Sequence, residues 1–505
     1  MICSRIQKNI SDCFSHTPKE AYKLKSYEKF ISKENVKKIH DNTVKILEEA
    51  GVIFENERAV EIFRQNGAKT DGSKVFIPQK MLEECLKTVP EQFTLKADAD
   101  TPVTMGASSK DRIVSANVSN IYIEDSGKIR KTNNADNVNQ FKMSVTSPVI
   151  TSASFNQFPD RTGWTDEQKI WGNTAMQLRY SDKYHFSANL SLRGMSKDLA
   201  EKYGTQGYEF LRRFKGIENS EDYYSITGIN ALSPLTFDHD PIDNIFKTCE
   251  QNQPLWIAPC AMPLLTAPAS LAGLMSTTNA EVLSGLVLSQ LVRPGLPFLY
   301  GNVSGSTNMR YIQLSIGSPE AALIAYATAG LADLYKLPFR NGGSLCDAKD
   351  MDAQAGAEAM MMIYATLDSG ANYIMHMAGT MGAYNVVSFE KFILDEEVIA
   401  MAERQLRGIN CEEEYLLFDE IRNVGPRGTF LHGRTPKMFR EEFLSAKLFN
   451  KDDPNNWQNS GAATIKQTAA EEVKKRIESY SVPERAPEQL DMLRPYLPDA
   501  YKDTI

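Results

Sequence analysis

The run PFLYGNVSG, Pro297 to Gly305, is followed by SPEAALIAYATAGLADLY, Ser318 to Tyr335, and then by LPFRNGGSL, Leu337 to Leu345. An apolar run that ends in Gly and Asn reads as a short buried strand handing over to a loop. Ser318 is a good helix N-cap, and Pro319 and Glu320 suit the first turn. The stretch therefore predicts strand, helix, strand.

Working outward, the same rhythm begins near Thr146. PVITSASF, YHFSANLSL, YYSITGINAL and PLWIAPCAM precede these runs, and NYIMHMAG and TFLHGR follow them. Amphipathic stretches such as TDEQKIWGNTAMQLRYS, NAEVLSGLVLSQLV, DAQAGAEAMMMIYATLDSG and LDEEVIAMAERQLRGI lie between. Repeated strand–helix units of this number predict an α/β fold of the (β/α)8, or TIM, barrel type. A doubly wound sheet would place a Gly-rich phosphate turn after its first strand, and the sequence has none. Residues 1–145 read as a helical and mixed lead-in packing on the barrel, 146–440 as the barrel and 441–505 as a helical tail. Within the lead-in, Ser32 caps a helix that Gly51 stops, and Pro78 stands near the start of another.

The chain of 505 residues is 42% hydrophobic and 24% charged, a globular profile with room for a large core. A net charge of −8 without any basic run gives no electrostatic footprint for nucleic acid. The N-terminal MICSRIQKNISDCFSHTPKEAYK has no apolar stretch of the signal-peptide kind, and later apolar runs are broken short of a membrane span. No membrane role is expected. Seven dispersed cysteines (Cys3, Cys13, Cys85, Cys249, Cys260, Cys346 and Cys411) form no CxxC pair, which points to reduced thiols and a cytoplasmic setting.

In a barrel of this kind the active site lies at the C-terminal ends of the strands. Those positions read Phe155 and Asn156, Asn189, Asn230, Cys260, Asn302, Asn341 with Asp347, His376 and His432. The rim is rich in neutral amides and poor in carboxylates, with Arg340 and Asp347 as the nearby charges. Glycoside hydrolysis would want two facing carboxylates. Schiff-base chemistry would want a strand lysine, whereas Lys349 lies past a strand beside two aspartates. Cys260, Cys346 and His376 suit zinc by ligand type, although no motif spacing pairs them and a buried cysteine also serves as a small hydrophobe. A lone histidine on an apolar strand, as His376 is, more often serves as a hydrogen-bonded core residue than as a catalyst, and the asparagines suit turns. Phe155, Phe158, Trp164, Tyr223, Tyr224, Trp256, Tyr300 and Tyr384 lie on or near predicted strands. Rings and amides with few fixed charges suit a quaternary ammonium, which donates no hydrogen bond and is held by ring faces.

GGSLCDAKDMDAQAGAEAMM, then SGANYIMHMAGTMG and SFEKFILDEEVIAMAERQLRGI, resemble the trimethylamine methyltransferase superfamily. IRNVGPRGTFLHGRTPKMFREEFLSAKLFN and the lead-in IHDNTVKILEEAGVIFENERAVEIFRQNGAKTDGSKVFIP carry the same likeness, which covers nearly the whole chain. The resemblance implies a (β/α)8 protein that moves a methyl group from a methylated amine to the cobalt of a separate corrinoid protein. The trimethylamine enzymes carry pyrrolysine; this sequence has none and resembles the branch acting on glycine betaine, proline betaine, carnitine and related quaternary amines. His376 matches the family's histidine at the end of the seventh strand, and the loop after it has no acidic residue.

That likeness implies a catalytic His376 and an ammonium pocket drawn from Phe155, Phe158, Asn189, Asn230, Trp256, Tyr300, Asn302, Asn341, Asp347 and Tyr384. Arg340, Arg310 and Arg161 are the candidates for a substrate carboxylate. No DxHxxG signature is present, Asp238 and His239 being wrongly spaced, so no stably bound cofactor is expected and the corrinoid would come with its partner protein. A homo-oligomer is expected. The competing readings are a zinc-dependent methyltransferase and a barrel that binds a quaternary ammonium without reacting it.

Overall fold

Six short strands pair in parallel: β1 (Ile113–Val114), β2 (Thr227–Ile229), β3 (Leu255–Ile257), β4 (Phe298–Gly301), β5 (Phe339–Gly342) and β6 (Tyr373–Met375). Their order across the sheet is β1-β6-β5-β4-β3-β2. The structure, a computed structural model, describes residues 25–107, 109–116, 121–192, 195–431 and 433–505. Two further segments dock in parallel beyond β1, where Ser152 bridges to Ser115 and Tyr184 bridges to Ser152. On the far side of Tyr184, the Ile226 N–H donates to the Phe186 carbonyl at 2.7 Å, and the Ala188 N–H donates to Ser225 Oγ at 3.1 Å.

Each of the eight segments is followed by a helix: α1 (Asn134–Thr146), α2 (Asp166–Tyr180), α3 (Gln206–Phe214), α4 (His239–Glu250), α5 (Leu271–Val292), α6 (Pro319–Tyr335), α7 (Ala353–Ser369) and α8 (Phe389–Leu406). Parallel strands need such crossovers, and helices packed outside bury the outer face of the sheet. All four residues of β4 are buried, as a strand covered on both faces requires. The expected start of α6 holds: Ser318 Oγ accepts from the Ala321 N–H at 3.2 Å and Pro319 occupies the first turn. α5 is the one helix among the described residues long and apolar enough to span a membrane, but 83% of that stretch is buried inside the protein. It is a core helix.

An antiparallel hairpin of Gln92–Lys96 and Pro102–Gly106 closes the N-terminal ends of the strands. Its Phe93, Leu95, Val103 and Met105 pack with Ile113, Phe186, Ile226 and Leu299. Earlier in the lead-in, Ser32 caps a helix over Lys33–Lys45, and Gly51 ends the helical run at φ +74°. A Cβ at Gly51 would stand 2.8 Å from the Val75 carbonyl oxygen, so both conformation and space require glycine there. Pro78 is the N-cap of the helix Gln79–Thr88.

Two findings correct the strand reading. Thr429, Phe430 and Leu431 form no strand and are exposed. The run is too short between Gly428 and Gly433, and no long amphipathic helix follows to cover it; His432 lies outside the described residues. The sheet instead recruits β1, two apolar residues after the charged KDR, well before the boundary expected at 145/146. The tail packs along the side of the fold. The helix α9 (Ile465–Glu478) is fixed to α8 by the Arg476–Glu396 ion pair at 2.6 Å, and Leu493 and Leu497 bury against the α2 region.

Candidate functional site

Arg340 on β5 is 1% exposed, and its side chain crosses the inner face of the sheet. Its register partner on β4 is Gly301, where a Cβ would lie 2.8 Å from the Arg340 Cδ. Trp256 on β3 likewise lies across Gly228 of β2, where a Cβ would meet the indole at 2.1 Å. Two glycines, each on the strand next to the larger side chain, thus clear room for one guanidinium and one indole, and the guanidinium stands 5.2 Å from the ring centroid. That contact is a favourable cation–π geometry.

Nε and Nη1 of Arg340 have no hydrogen-bond partner, and no carboxylate pairs with the group among the described residues. Burial lowers its pKa, with Tyr384, Tyr373 and Cys260 opposing the shift. A buried cation lacking its counter-charge is costly and is normally paired.

His376 follows β6 with φ +56°, in the left-handed region that a non-glycine residue rarely adopts. The Gly343 N–H donates to the Met375 carbonyl at 2.8 Å, and a Cβ on Gly343 would collide with the Met377 Cα at 2.3 Å. Close approach of the loops after β5 and β6 therefore fixes the histidine backbone. The loop then turns back through Ala383 and Tyr384, at φ +52° and +70°, which sets the Tyr384 ring 4.7 Å from the His376 ring. The Tyr384 hydroxyl pKa is pushed well up by burial; Cys260 and Asp347 add to the shift and Arg340 opposes it. One phenol therefore senses all three groups.

Behind the loop lies a fully buried ion pair, Lys391 with Asp395, at 2.6 Å. Asp395 accepts from the Gly379 N–H at 2.7 Å, and Lys391 donates to the Ser344 carbonyl at 2.9 Å. Burial pushes the Asp395 pKa up to about 6 against the pull of Lys391. The pair clamps the loops after β5 and β6 onto α8.

Several inward positions stay open to solvent. Gly228, Asn230, Asn189 and Cys260 are exposed, and Trp256, Tyr373, Met375 and His376 are half-buried. An accessible chamber therefore stands above the hairpin plug, with Arg340 deep and His376 near the opening. The register partner of Arg340 is Tyr373, and His376 lies three residues further on, about 10 Å along the strand.

The remaining predicted residues lie elsewhere. Tyr300 donates to Asn279 Oδ1 at 2.8 Å, Asn302 donates to Thr278 Oγ1 at 3.0 Å, and Asn341 approaches the Ala325 carbonyl and Ser369 at 3.4 Å. All three face the helices rather than the chamber. Asp347 accepts from Ser315 Oγ at 2.5 Å and from the Ile316 and Gly317 N–H groups, tying the loop after β4 to that after β5. Phe155 and Phe158 belong to a separate core with Phe141 and Trp164, closed by Tyr501 of the tail. Arg310 is exposed over the Tyr311 ring, and Arg161 is half-buried ahead of α2, donating to the Lys169 carbonyl, so of these three Arg340 is the one that reaches the chamber. Cys346 is buried beside Met381 and donates to the Thr380 carbonyl, and Lys349 is exposed. Among the described residues no three His, Cys, Asp or Glu side chains converge as metal ligands.

Tyr373 escaped the sequence reading, and Arg340 entered it as a nearby charge and as one of three arginines offered for a substrate carboxylate. The available signal was a single cation inside an apolar run, opposite a glycine in the neighbouring strand.

Residues 5–501 match the model of the family Trimethylamine methyltransferase (MTTB), and the chain belongs to that family. It is 34% identical over 484 residues to the L-carnitine:corrinoid methyltransferase of Eubacterium limosum, covering 94% of this chain and 98% of that one. It is 35% identical over 489 residues to the proline betaine:corrinoid methyltransferase of the same organism, with the same coverage of 94% and 98%. The glycine betaine methyltransferase of Desulfitobacterium hafniense is 35% identical over 467 residues, 91% of this chain and 94% of that one.

Proposed function

We propose that this chain is a cytoplasmic methyltransferase that takes one methyl group from a quaternary amine bearing a carboxylate and delivers it to Co(I) of a separate corrinoid protein. The observation that carries the reading is Arg340, a buried guanidinium without a carboxylate, at the floor of a chamber lined by rings. The curated relatives that act on carnitine, proline betaine and glycine betaine support the same substrate class.

The substrate carboxylate pairs with the free edge of the Arg340 guanidinium, a charge-assisted and potentially bidentate contact. The ammonium then lies toward the opening, against Tyr384 and the His376 ring, with one methyl facing out. In the reaction the C–N bond breaks and its electron pair stays on nitrogen, leaving a neutral tertiary amine. The electron pair of the new bond to carbon comes from Co(I). The nitrogen needs no proton, so the chain's own work is orientation and exclusion of water. His376, held at the opening by its strained backbone, positions the reacting methyl against the incoming corrinoid.

Two structural readings belong to the proposal. The eight parallel segments are taken as a closed (β/α)8 barrel, supported by the bonds from Ile226 to Phe186 and from Ala188 to Ser225 that join its two edges. The corrinoid protein is taken to dock on the loops after β2, β3 and β4, which expose Leu232, Leu264, Leu265, Met309, Tyr311 and Ile312 beside the opening. Leu264 and Ile312 hold φ of +69° and +52°, a strained conformation for such residues and one that presents their side chains outward.

The test is Arg340→Gln. For a betaine, kcat/KM should fall by about 100-fold or more, the scale of losing one partner of a buried charge pair, while a quaternary ammonium lacking a carboxylate is affected little. Equal losses on both substrates would remove the assignment.

A further inference from the structure

After α8 the chain leaves the body at Gly408 and returns at Glu442, whose carbonyl accepts from Arg404 of α8, and then at Lys447 and Leu448, whose N–H groups donate to Glu397 of α8 at 3.1 and 3.2 Å. Between these points runs an arm with three short helices, Glu413–Leu416, Phe418–Val424 and Lys437–Glu442, none of which contains a buried residue. Helices this short do not hold in water without a surface to pack on. Yet the arm is strongly apolar: ten large hydrophobic side chains between Ile409 and Leu444 are exposed, Ile409 at 84% and Leu431 at 83%. At roughly 100 Å² each they offer about 1,000 Å² per chain, more than the roughly 800 Å² each partner of a stable complex buries. At the foot of the arm, Phe439, Phe443, Leu444, Phe449, Trp457 and Ile465 line a cleft of about 1050 Å³.

The charges of the arm choose the occupant. Its first half carries Glu412, Glu413, Glu414, Asp419 and Glu420 with no base; from Arg422 to Arg440 it carries Arg422, Arg427, Arg434, Lys437 and Arg440 with no acid, and these ten are followed by Glu441 and Glu442, which pair with Lys437 and with Arg404 of α8. All ten are exposed. Such a segment is complementary to itself reversed. Two copies related by a two-fold axis place each acidic half on the partner's basic half while the apolar side chains meet between them, as an isologous interface requires.

We propose that the arm 409–446 is the self-association surface of this protein, pairing with the same arm of a second copy. α8 runs antiparallel to the strands and the arm starts at its C-terminus, so the arm is rooted at the end of the fold opposite the chamber opening. The inference stands apart from the proposed reaction.

Sedimentation velocity of the full chain tests it. Wild type should sediment as a pair at micromolar concentration. A chain with Glu412→Lys, Glu413→Lys and Glu414→Lys, and a second with Arg422→Glu, Arg427→Glu and Arg434→Glu, should each be monomeric, with dissociation constants raised about 100-fold or more by like-charge contacts. A one-to-one mixture should restore the pair, because each arm then finds its opposite charge; a misfolded variant would not be rescued in this way. Monomeric wild type, undiminished pairing of either variant alone, or no recovery in the mixture would overturn the proposal. So would variants that keep pairing and lose only their response to a corrinoid protein, since the arm would then belong to that partner.

Discussion

The Arg340 guanidinium lies 5.2 Å from the Trp256 ring, buried and, among the described residues, with no carboxylate paired to it. A ring face lessens the cost of burying a cation but does not balance it, by a margin of several kcal/mol. The free protein therefore carries a deficit, which the proposed substrate carboxylate would relieve. Arg340→Met should raise the melting temperature of the ligand-free protein, and a betaine should raise it for wild type but not for the variant. Thermal unfolding with and without betaine checks both; a variant less stable than wild type would show that Arg340 is paired within the fold.

His376 separates backbone from chemistry. Asparagine tolerates the left-handed region, whereas a β-branched residue pays about 1–2 kcal/mol there. His376→Asn should leave the melting temperature nearly unchanged and betaine binding intact while methyl transfer falls at least about 100-fold, the lower end of a positioned group's contribution. His376→Val should also lose stability. Calorimetric binding together with turnover separates the two effects, and near-normal turnover of the asparagine variant would retire the role.

How much of this was legible beforehand depends on what a linear pattern encodes. The strand–helix rhythm reports burial, and it located five of the six sheet strands. β1 escaped because two residues carry no period. The chamber was readable where a strand hands over to a loop, as at Asn189, Asn230 and His376, and where a large ring interrupts a strand, as at Trp256. It was not readable where the face mattered. Arg340 and Asn341 are adjacent, yet one enters the chamber and the other meets the helices, because side chains alternate and a shift of one residue exchanges the faces. Phe158 illustrates a different limit: its neighbour Tyr501 is more than three hundred residues away, and no local pattern announces that contact.

The buried pair behind the loop that carries His376 makes a packing prediction. Asp395→Asn leaves Lys391 charged without its partner and should cost about 3–5 kcal/mol. Replacing both, Lys391→Met with Asp395→Leu, should recover much of that stability, though the Gly379 N–H loses its acceptor and activity should stay low. Urea unfolding of the two variants checks this, and a double variant no more stable than the single one would contradict it.

Glu281 on α5 is fully buried, accepting from Ser233 Oγ at 2.8 Å and from the Leu235 N–H at 2.7 Å. Burial pushes its pKa up to about 7 from 4.5, against those two bonds. Between these values the folded protein holds a proton that the unfolded chain has released. Its contribution is therefore complete below pH 4.5 and is lost as pH rises to 7, by at most about 3 kcal/mol. Glu281→Gln should flatten that part of the stability–pH curve and be more stable than wild type at pH 8. Urea unfolding at pH 5 and pH 8 measures it; an unchanged slope in the variant would assign the effect to another group.

The most direct measurement of the central claim is turnover of the purified chain with cob(I)alamin and a panel of methylated amines, followed by the colour change on methylation. The account predicts methyl transfer from quaternary amines that carry a carboxylate and little from choline, tetramethylammonium or trimethylamine. Transfer that ignores the carboxylate, or that favours trimethylamine, would contradict it.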